Sequence, residues 1–103
     1  KEIFLVLHMD AKNKVFDSTE IEEGTVNQAN PIVREIFYKA MENFSVSIVC
    51  VHNHPSGDPS PSKEDIEFTK TLIRAGEVLN IKVVDHIIIG NDAYYSFAKS
   101  GII

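Results

Sequence analysis

The sequence predicts an α/β domain in which a mixed β-sheet of about five or more strands carries two main helices. Short segments rich in β-branched or alternating apolar residues indicate the strands. Two longer segments have apolar residues at helical spacing and indicate the helices. Their order is strand, strand, helix, strand, helix, strand, strand. The 103 residues suffice for one modest core, so residues 1–103 are interpreted as a single domain.

The first two strands are predicted to form a hairpin. Residues 3–9 are almost entirely apolar and are expected to be buried on both faces. Residues 10–14 are a polar turn, and residues 15–22 alternate in character as a second strand. The motif strand is predicted at 45–51, a strand interrupted by Asp85 and His86 at 81–89, a short last strand at 93–97, and a tail at 100–103.

Two amphipathic helices follow from capping signals and apolar spacing. Asn30 as N-cap with Pro31 in the first helical position starts a helix that runs to about Asn43. Ser62 starts a second helix that runs to about Leu79. Its predicted inner positions are Ile66, Phe68, Thr69, Leu72, Ile73 and Leu79.

Residues 52–65 carry the chemistry. The apolar run 47–51 predicts a buried strand that ends at two histidines, and side chains two apart on a strand point the same way, so His52 and His54 project together. A loop rich in proline and glycine follows and lets Asp65, in the first helical turn, fold back towards them. Two histidines and one carboxylate form the ligand set of a catalytic zinc site that keeps one position open.

Simpler interpretations exist for each part of this pattern. Ser62-x-x-Asp65 is also a helix-capping motif, and an isolated His-x-His pair is often incidental. Their combination at a strand end beside a proline- and glycine-rich loop favours a functional site. Asp58 is an alternative third ligand, although Gly-Asp-Pro is better explained as turn chemistry.

The full pattern, His52-Asn-His54-Pro-Ser-Gly-Asp-Pro-x-Pro-Ser62-x-x-Asp65, resembles the signature of the JAMM/MPN zinc metallopeptidases and, within them, the RadC branch. The resemblance implies a JAB/MPN fold of the cytidine-deaminase-like kind, with Zn²⁺ held by His52, His54 and Asp65. It also implies that Ser62 stabilises an oxyanion and that Glu2, directly before the first strand, is the general base. The alternative bases are Glu20, Glu22 and Glu35.

The implied activity is hydrolysis of an amide bond in a peptide or protein substrate. Members of the RadC branch usually carry an additional N-terminal helical segment, so the chain is expected to be a fragment that lacks it. The alternative is a DNA-repair-associated RadC protein whose JAB domain is an interaction module without hydrolase activity. A zinc deaminase does not fit, because His54 stands where that motif needs Glu and no Pro-Cys-x-x-Cys follows.

Charge and composition limit the partners. Ten Lys and Arg against 15 Asp and Glu, with the basic residues scattered, disfavour direct nucleic-acid binding. No apolar run is long enough to span a membrane, and no signal-peptide pattern is present. The single cysteine, Cys50, rules out an internal disulfide and favours a cytoplasmic location.

Five further polar or reactive residues are also notable. Cys50 is expected in the core, although it shares a strand face with His52. Asn53 is expected to hold the loop. Asp85 and His86 are interpreted as a structural pair, with support of a zinc ligand as the alternative. His8 is assigned no role.

Overall fold

The computed structural model describes residues 2–22 and 33–103. Five strands form one mixed sheet in the order β2-β1-β3-β4-β5. β3 and β4 run parallel, and the other neighbours are antiparallel. The strands are β1 (Phe4–Met9), β2 (Val15–Ile21), β3 (Ser47–Asn53), β4 (Lys82–Ile89) and β5 (Tyr94–Ser96), and the helices are α1 (Val33–Glu42) and α2 (Lys63–Leu79). The predicted fold class and element order are confirmed.

Both helices pack on one face of the sheet. Ile36 and Phe37 of α1 and Leu72 of α2 lie in one buried cluster with sheet residues such as Val6 and Cys50. The five-strand sheet therefore has a helix-covered face that contains the core. The site residues His52 and His86 point to this same face, since Phe4 of β1 stacks on His52 and contacts His86.

The prediction that β1 is buried on both faces is wrong. Phe4 and Val6 are fully buried on the helix-covered face, but the intervening Leu5 and Leu7 are only half-buried. The long apolar run gave no alternation to reveal this difference, because both faces of the strand are apolar.

Helix α2 ends as its local sequence requires. Asn80 takes a left-handed conformation (φ 58°) directly after α2. Gly76 lets the chain fold back tightly, since a methyl group there would lie 2.5 Å from the carbonyl oxygen of Ile81. Leu79, predicted to face inwards, is 42% exposed because the helix ends there. The start of α1 predicted at Asn30 and Pro31 lies outside the described residues.

β3 continues through His52 and Asn53, two residues beyond its predicted end. β4 is continuous, and the interruption predicted at Asp85 and His86 is a β-bulge. Ile48 aligns with Val83, but the next residue, Val49, aligns with Asp85, so Val84 is the extra residue. No helix within the described part of the chain is long and apolar enough to cross a membrane.

Candidate metal centre

The structure brings His52, His54 and Asp65 together. His52 lies near the carboxyl end of β3, His54 follows that strand, and Asp65 lies in the first turn of α2. One ligand atom from each side chain lies within 4.8 Å of the other two. The distance is 3.2 Å from His54 Nε2 to Asp65 Oδ2 and 3.7 Å from His52 Nε2 to Asp65 Oδ1. These three residues are therefore close enough to bind a metal ion.

The site loop, residues 55–61, is held against the turn between β4 and β5. The His54 N–H donates to the carbonyl of Ile89, and the Asn91 N–H donates to the carbonyl of Gly57. Gly57 has φ 91°, a conformation that favours glycine. A methyl group on Gly90 would lie 2.3 Å from the Gly57 oxygen, so both glycines are needed for this contact. The loop position of His54 is thus fixed from β4.

The tautomer of His54 follows from one contact. Its Nδ1 lies 3.0 Å from the carbonyl oxygen of Asp58. A carbonyl oxygen can only accept, so Nδ1 must carry a proton, and Nε2 is the ring nitrogen that faces Asp65. The Asp58 carboxylate accepts from the Ser60 N–H, a contact that lowers the pKa of Asp58 and agrees with a turn role.

Asp65 is oriented by a capping box. Its Oδ2 accepts from the Ser62 N–H at 2.8 Å, and the Ser62 hydroxyl oxygen accepts from the Asp65 N–H at 3.0 Å. The helix start thus fixes the side chain of Asp65 as it satisfies two backbone donors. The capping interpretation of Ser62 and Asp65 is confirmed, and the capping box keeps the Asp65 carboxylate beside His52 and His54.

His52 supplies the strongest evidence for a cation. Its ring is buried and stacks on Phe4, with centroids 5.5 Å apart. Burial lowers the pKa of His52 to about 4, against the opposing effect of Asp65, so the ring is neutral at pH 7. Among residues 2–22 and 33–103, His52 Nε2 is the one fully buried side-chain nitrogen or oxygen without a hydrogen-bond partner. Such an atom beside a carboxylate fits a site built for a cation.

His86, which the sequence analysis favoured as a structural residue, contacts the centre directly. Its Nε2 lies 2.9 Å from His52 Nδ1, and its Nδ1 lies 2.6 Å from the Thr69 hydroxyl. Burial lowers the pKa of His86 to about 3. The ring stacks on Phe97 with centroids 4.7 Å apart. The sequence signal for this contact was a histidine inside an apolar strand.

Glu2 lies just before the amino end of β1, the strand that pairs with β3. Phe4 aligns with His52 in the antiparallel pairing. Next to this pair, the Asn53 N–H donates to the Ile3 carbonyl, and the Ile3 N–H donates to the side-chain oxygen of Asn53. Glu2 lies two residues before Phe4 along the chain, at the end of β1 that pairs with His52. Glu2 is half-buried. The alternatives Glu20, Glu22 and Glu35 are exposed on β2, just after it, and on α1.

The remaining polar residues have other environments. Cys50 is fully buried in the core, as expected, and burial raises the pKa of its thiol. Asp85 accepts from the Ser96 hydroxyl and the Ala98 N–H, so it fixes the C-terminal turn. His8, which was assigned no role, lies 2.6 Å from the Ser45 hydroxyl and 2.7 Å from the Thr19 hydroxyl. Asn53 binds the start of β1 through Ile3.

Comparison with known proteins agrees with this architecture. A family model described as "RadC-like JAB domain" matches residues 1–102. A UPF0758 protein of Trichlorobacter lovleyi is 48% identical over 103 residues, which is 100% of this chain and 45% of the relative. A UPF0758 protein of Chloroflexus aurantiacus is 49% identical over 94 residues, 91% of this chain and 41% of the relative.

The chain thus spans less than half the length of these curated relatives. A UPF0758 protein of Geobacter sulfurreducens is also similar, with 42% identity over the whole chain and 45% of the relative. The match of the family model over nearly every residue, together with the sheet and the His52, His54 and Asp65 cluster, leads to one assignment. The chain belongs to the family of RadC-like JAB domains.

Proposed function

We propose that this domain is a zinc-dependent hydrolase of amide bonds in a peptide or protein, a metallopeptidase or isopeptidase of the JAMM type. The observation that carries the proposal is the convergence of two histidines on one carboxylate. The Nε2 atoms of His54 and His52 lie 3.2 and 3.7 Å from the Asp65 oxygens, and His52 Nε2 is buried without a hydrogen-bond partner. Zinc binds nitrogen and oxygen donors of this kind, and three protein ligands leave a position for water or substrate.

His52, His54 and Asp65 would hold the metal. When bound, zinc supplies a Lewis acid that lowers the pKa of water to ~7 and polarises a carbonyl group. The proposed ligands come from β3, from the residue that follows it, and from the first turn of α2. Hydrogen bonds anchor His54 and Asp65, which supports a ligand set that is formed before any substrate arrives.

Glu2 is proposed as the general base and acid. It takes a proton from the attacking water as the new C–O bond forms, and gives that proton to the amine nitrogen as the C–N bond breaks. Its half-buried position two residues before Phe4, which pairs with His52, supports this role.

Ser62 is proposed to donate a hydrogen bond to the substrate oxygen as negative charge develops there. Its hydroxyl oxygen already accepts from the Asp65 N–H, which leaves the hydroxyl proton for a substrate. The residue is solvent-exposed at the start of α2. A donor at this position is worth about 10²–10³ in kcat in comparable oxyanion sites.

The proposed substrate is an extended segment of a peptide or protein, and we expect no direct binding of nucleic acid by this domain. The formal net charge of −5 supports that expectation. A cytoplasmic location is part of the proposal and is supported by the buried, reduced Cys50.

The first test is the zinc content of protein purified without chelator or metal-binding tag. We expect about one zinc per chain in the wild type and loss of zinc in His52→Ala and Asp65→Ala. Asp58→Ala is the matched control, since this nearby loop carboxylate is turned to Ser60, and it should retain zinc. Absence of zinc in the wild type, with none taken up on addition, would contradict the proposal and favour the interaction-module alternative.

The second test separates chemistry from binding. The zinc-loaded domain is screened against libraries of peptides and of isopeptide-linked peptides, with Glu2→Gln beside it. Glu2→Gln should keep its zinc and lose hydrolysis, because the amide cannot take a proton from water. Equal hydrolysis by both proteins would remove Glu2 from the mechanism.

A further inference from the structure

A continuous chain of three hydrogen bonds connects two of the proposed metal ligands through residues outside the motif. It runs from the side chain of His52 to His86, from His86 to Thr69, and from Thr69 to the main-chain carbonyl of Asp65. The three donor–acceptor distances are 2.9, 2.6 and 2.7 Å. All four residues are buried.

The donor and the acceptor of every hydrogen bond in this chain follow from the last acceptor, the Asp65 carbonyl oxygen. The Asp65 carbonyl oxygen has only lone pairs, so the Thr69 hydroxyl must donate to it. Thr69 has one hydroxyl proton, so its oxygen must accept from His86 Nδ1. His86 therefore carries its proton on Nδ1 and presents a lone pair at Nε2.

The same reasoning determines which ring nitrogen of His52 carries the proton. The lone pair of His86 Nε2 must be met by a proton on His52 Nδ1, 2.9 Å away. Both rings are buried against the phenyl rings of Phe4, Phe68 and Phe97, and such surroundings favour the neutral form of an imidazole. A neutral His52 with its proton on Nδ1 has an unprotonated Nε2, and this is the atom that lacks a partner in the structure.

We propose that Thr69 and His86 are positioning residues that hold the His52 proton on Nδ1 and so keep Nε2 bare and aimed at the metal centre. This inference rests on the proposed metal site. In the other tautomer the proton on Nε2 would point towards Asp65 Oδ1, which lies 3.7 Å away, and would occupy the lone pair that a metal ion needs. The chain of hydrogen bonds from His52 through His86 and Thr69 to Asp65, called the relay below, disfavours that tautomer before a metal binds.

The relay also couples the geometry of three elements. His52 lies on β3, His86 on β4, and Thr69 one turn after Asp65 on α2. Phe68 packs edge-on against the His86 ring and Phe97 stacks on that ring, so this part of the hydrogen-bond chain has apolar surroundings. Hydrogen bonds in such surroundings are strong and costly to break.

The test uses two Thr69 variants. Thr69→Val has nearly the same shape but no hydroxyl, and Thr69→Ser keeps the hydroxyl. In ¹⁵N-labelled, chelator-treated protein near pH 7.5, multiple-bond imidazole spectra report which ring nitrogen is protonated, with His52→Ala identifying the His52 signals. We expect Nδ1–H tautomers for His52 and His86 in the wild type and in Thr69→Ser, and a mixture in Thr69→Val.

Zinc affinity, measured by competition with a chelating dye, is the second readout. Thr69→Val should bind zinc roughly 10–100-fold more weakly, as for the loss of other residues that orient metal ligands, and Thr69→Ser should remain close to the wild type. Thermal unfolding of the metal-free proteins is recorded beside it. A lower midpoint in Thr69→Val with unchanged tautomers and zinc affinity would overturn the relay, since it shows a purely structural role.

The metal-free spectra separate this inference from the proposed function. An Nε2–H tautomer of His52 in the wild type would overturn the relay, whatever the protein does with zinc. The expected tautomers in a wild-type protein that takes up no zinc would support the relay and contradict the hydrolase proposal.

Discussion

The carbonyl oxygen of Gly57 lies so close to Gly90 that a methyl group on Gly90 would be 2.3 Å from it. This contact seats the site loop on the β4–β5 turn, together with the hydrogen bond from the Asn91 N–H to the same oxygen. Because His54 leads into this loop and its ring bonds to Asp58 within it, the position of a proposed metal ligand depends on two glycines.

Gly90→Ala should therefore weaken zinc binding as well as stability. The new methyl group must displace the site loop, which moves the Asp58 carbonyl away from His54. The matched control is Gly76→Ala, whose methyl group would meet the Ile81 carbonyl at 2.5 Å but lies away from the site loop. Urea unfolding and zinc titration of both variants check this. We expect both to lose stability but only Gly90→Ala to lose zinc affinity, and equal zinc affinities would contradict the role of the contact.

Substitutions of Ser62 can separate its capping role from its proposed catalytic role. Ser62→Ala removes both and should cost about 1 kcal/mol of stability. Ser62→Gly should cost only a few tenths of a kcal/mol, since glycine is tolerated at N-caps, yet it lacks the hydroxyl. We expect kcat on a substrate from the peptide screen to fall about 10²–10³-fold in both variants. Full activity in a stable, zinc-loaded Ser62→Gly protein would show that the hydroxyl only caps α2.

The stability of the domain should fall in mild acid partly because of His8. Burial lowers the pKa of His8 below the ~6.5 of an unfolded histidine, with Asp17 opposing. Below about pH 6.5, His8 of the unfolded chain binds a proton that His8 of the folded chain does not bind. The free energy of unfolding therefore falls as the pH falls below this value, and His8 makes no such contribution at higher pH. The loss is at most about 1.4 kcal/mol per pH unit.

The measurement is urea unfolding of wild type and His8→Gln at pH 7.5 and pH 5.5. The wild type should lose more stability than His8→Gln over this interval, and the difference isolates His8 from the other titrating groups. Parallel losses in both proteins would contradict a neutral buried His8.

Cys50 should be inert to thiol reagents in the native protein. Its side chain is fully buried, and burial raises the pKa of the thiol, so little reactive thiolate is present at pH 8. A colorimetric disulfide reagent should label the urea-unfolded chain at once and the folded chain only as fast as it opens. Rapid labelling of folded, zinc-loaded protein would show that this part of the core is accessible.

The ligand set could be predicted from sequence because its residues lie close together along the chain. His52 and His54 are separated by one residue, and Asp65 follows in a helix whose start is marked by Ser62. Strand alternation and helix capping are local rules, and together they were sufficient. The structure confirms that the three side chains come together.

The contact of His86 with His52 could not be derived in the same way. It depends on how β3 and β4 align, and on the extra residue at Val84. With regular pairing after Ile48 and Val83, Cys50 would align with Asp85, whereas the bulge aligns it with His86. A shift of one residue reverses which side chains face the helices. The sequence showed the Asp85-His86 pair but contained no local signal that selects between its members.

The bulge also gives β4 two phases within one strand. Before Val84 the strand presents Val83 to the core, where it packs with apolar neighbours, and after it the strand presents His86 and Ile88 on that same face. Without the phase change, one uninterrupted alternation would turn either Val83 or His86 outwards. Because of this single extra residue, the first part of the strand places an apolar side chain in the core. The second part places a ring nitrogen of His86 within hydrogen-bond distance of His52.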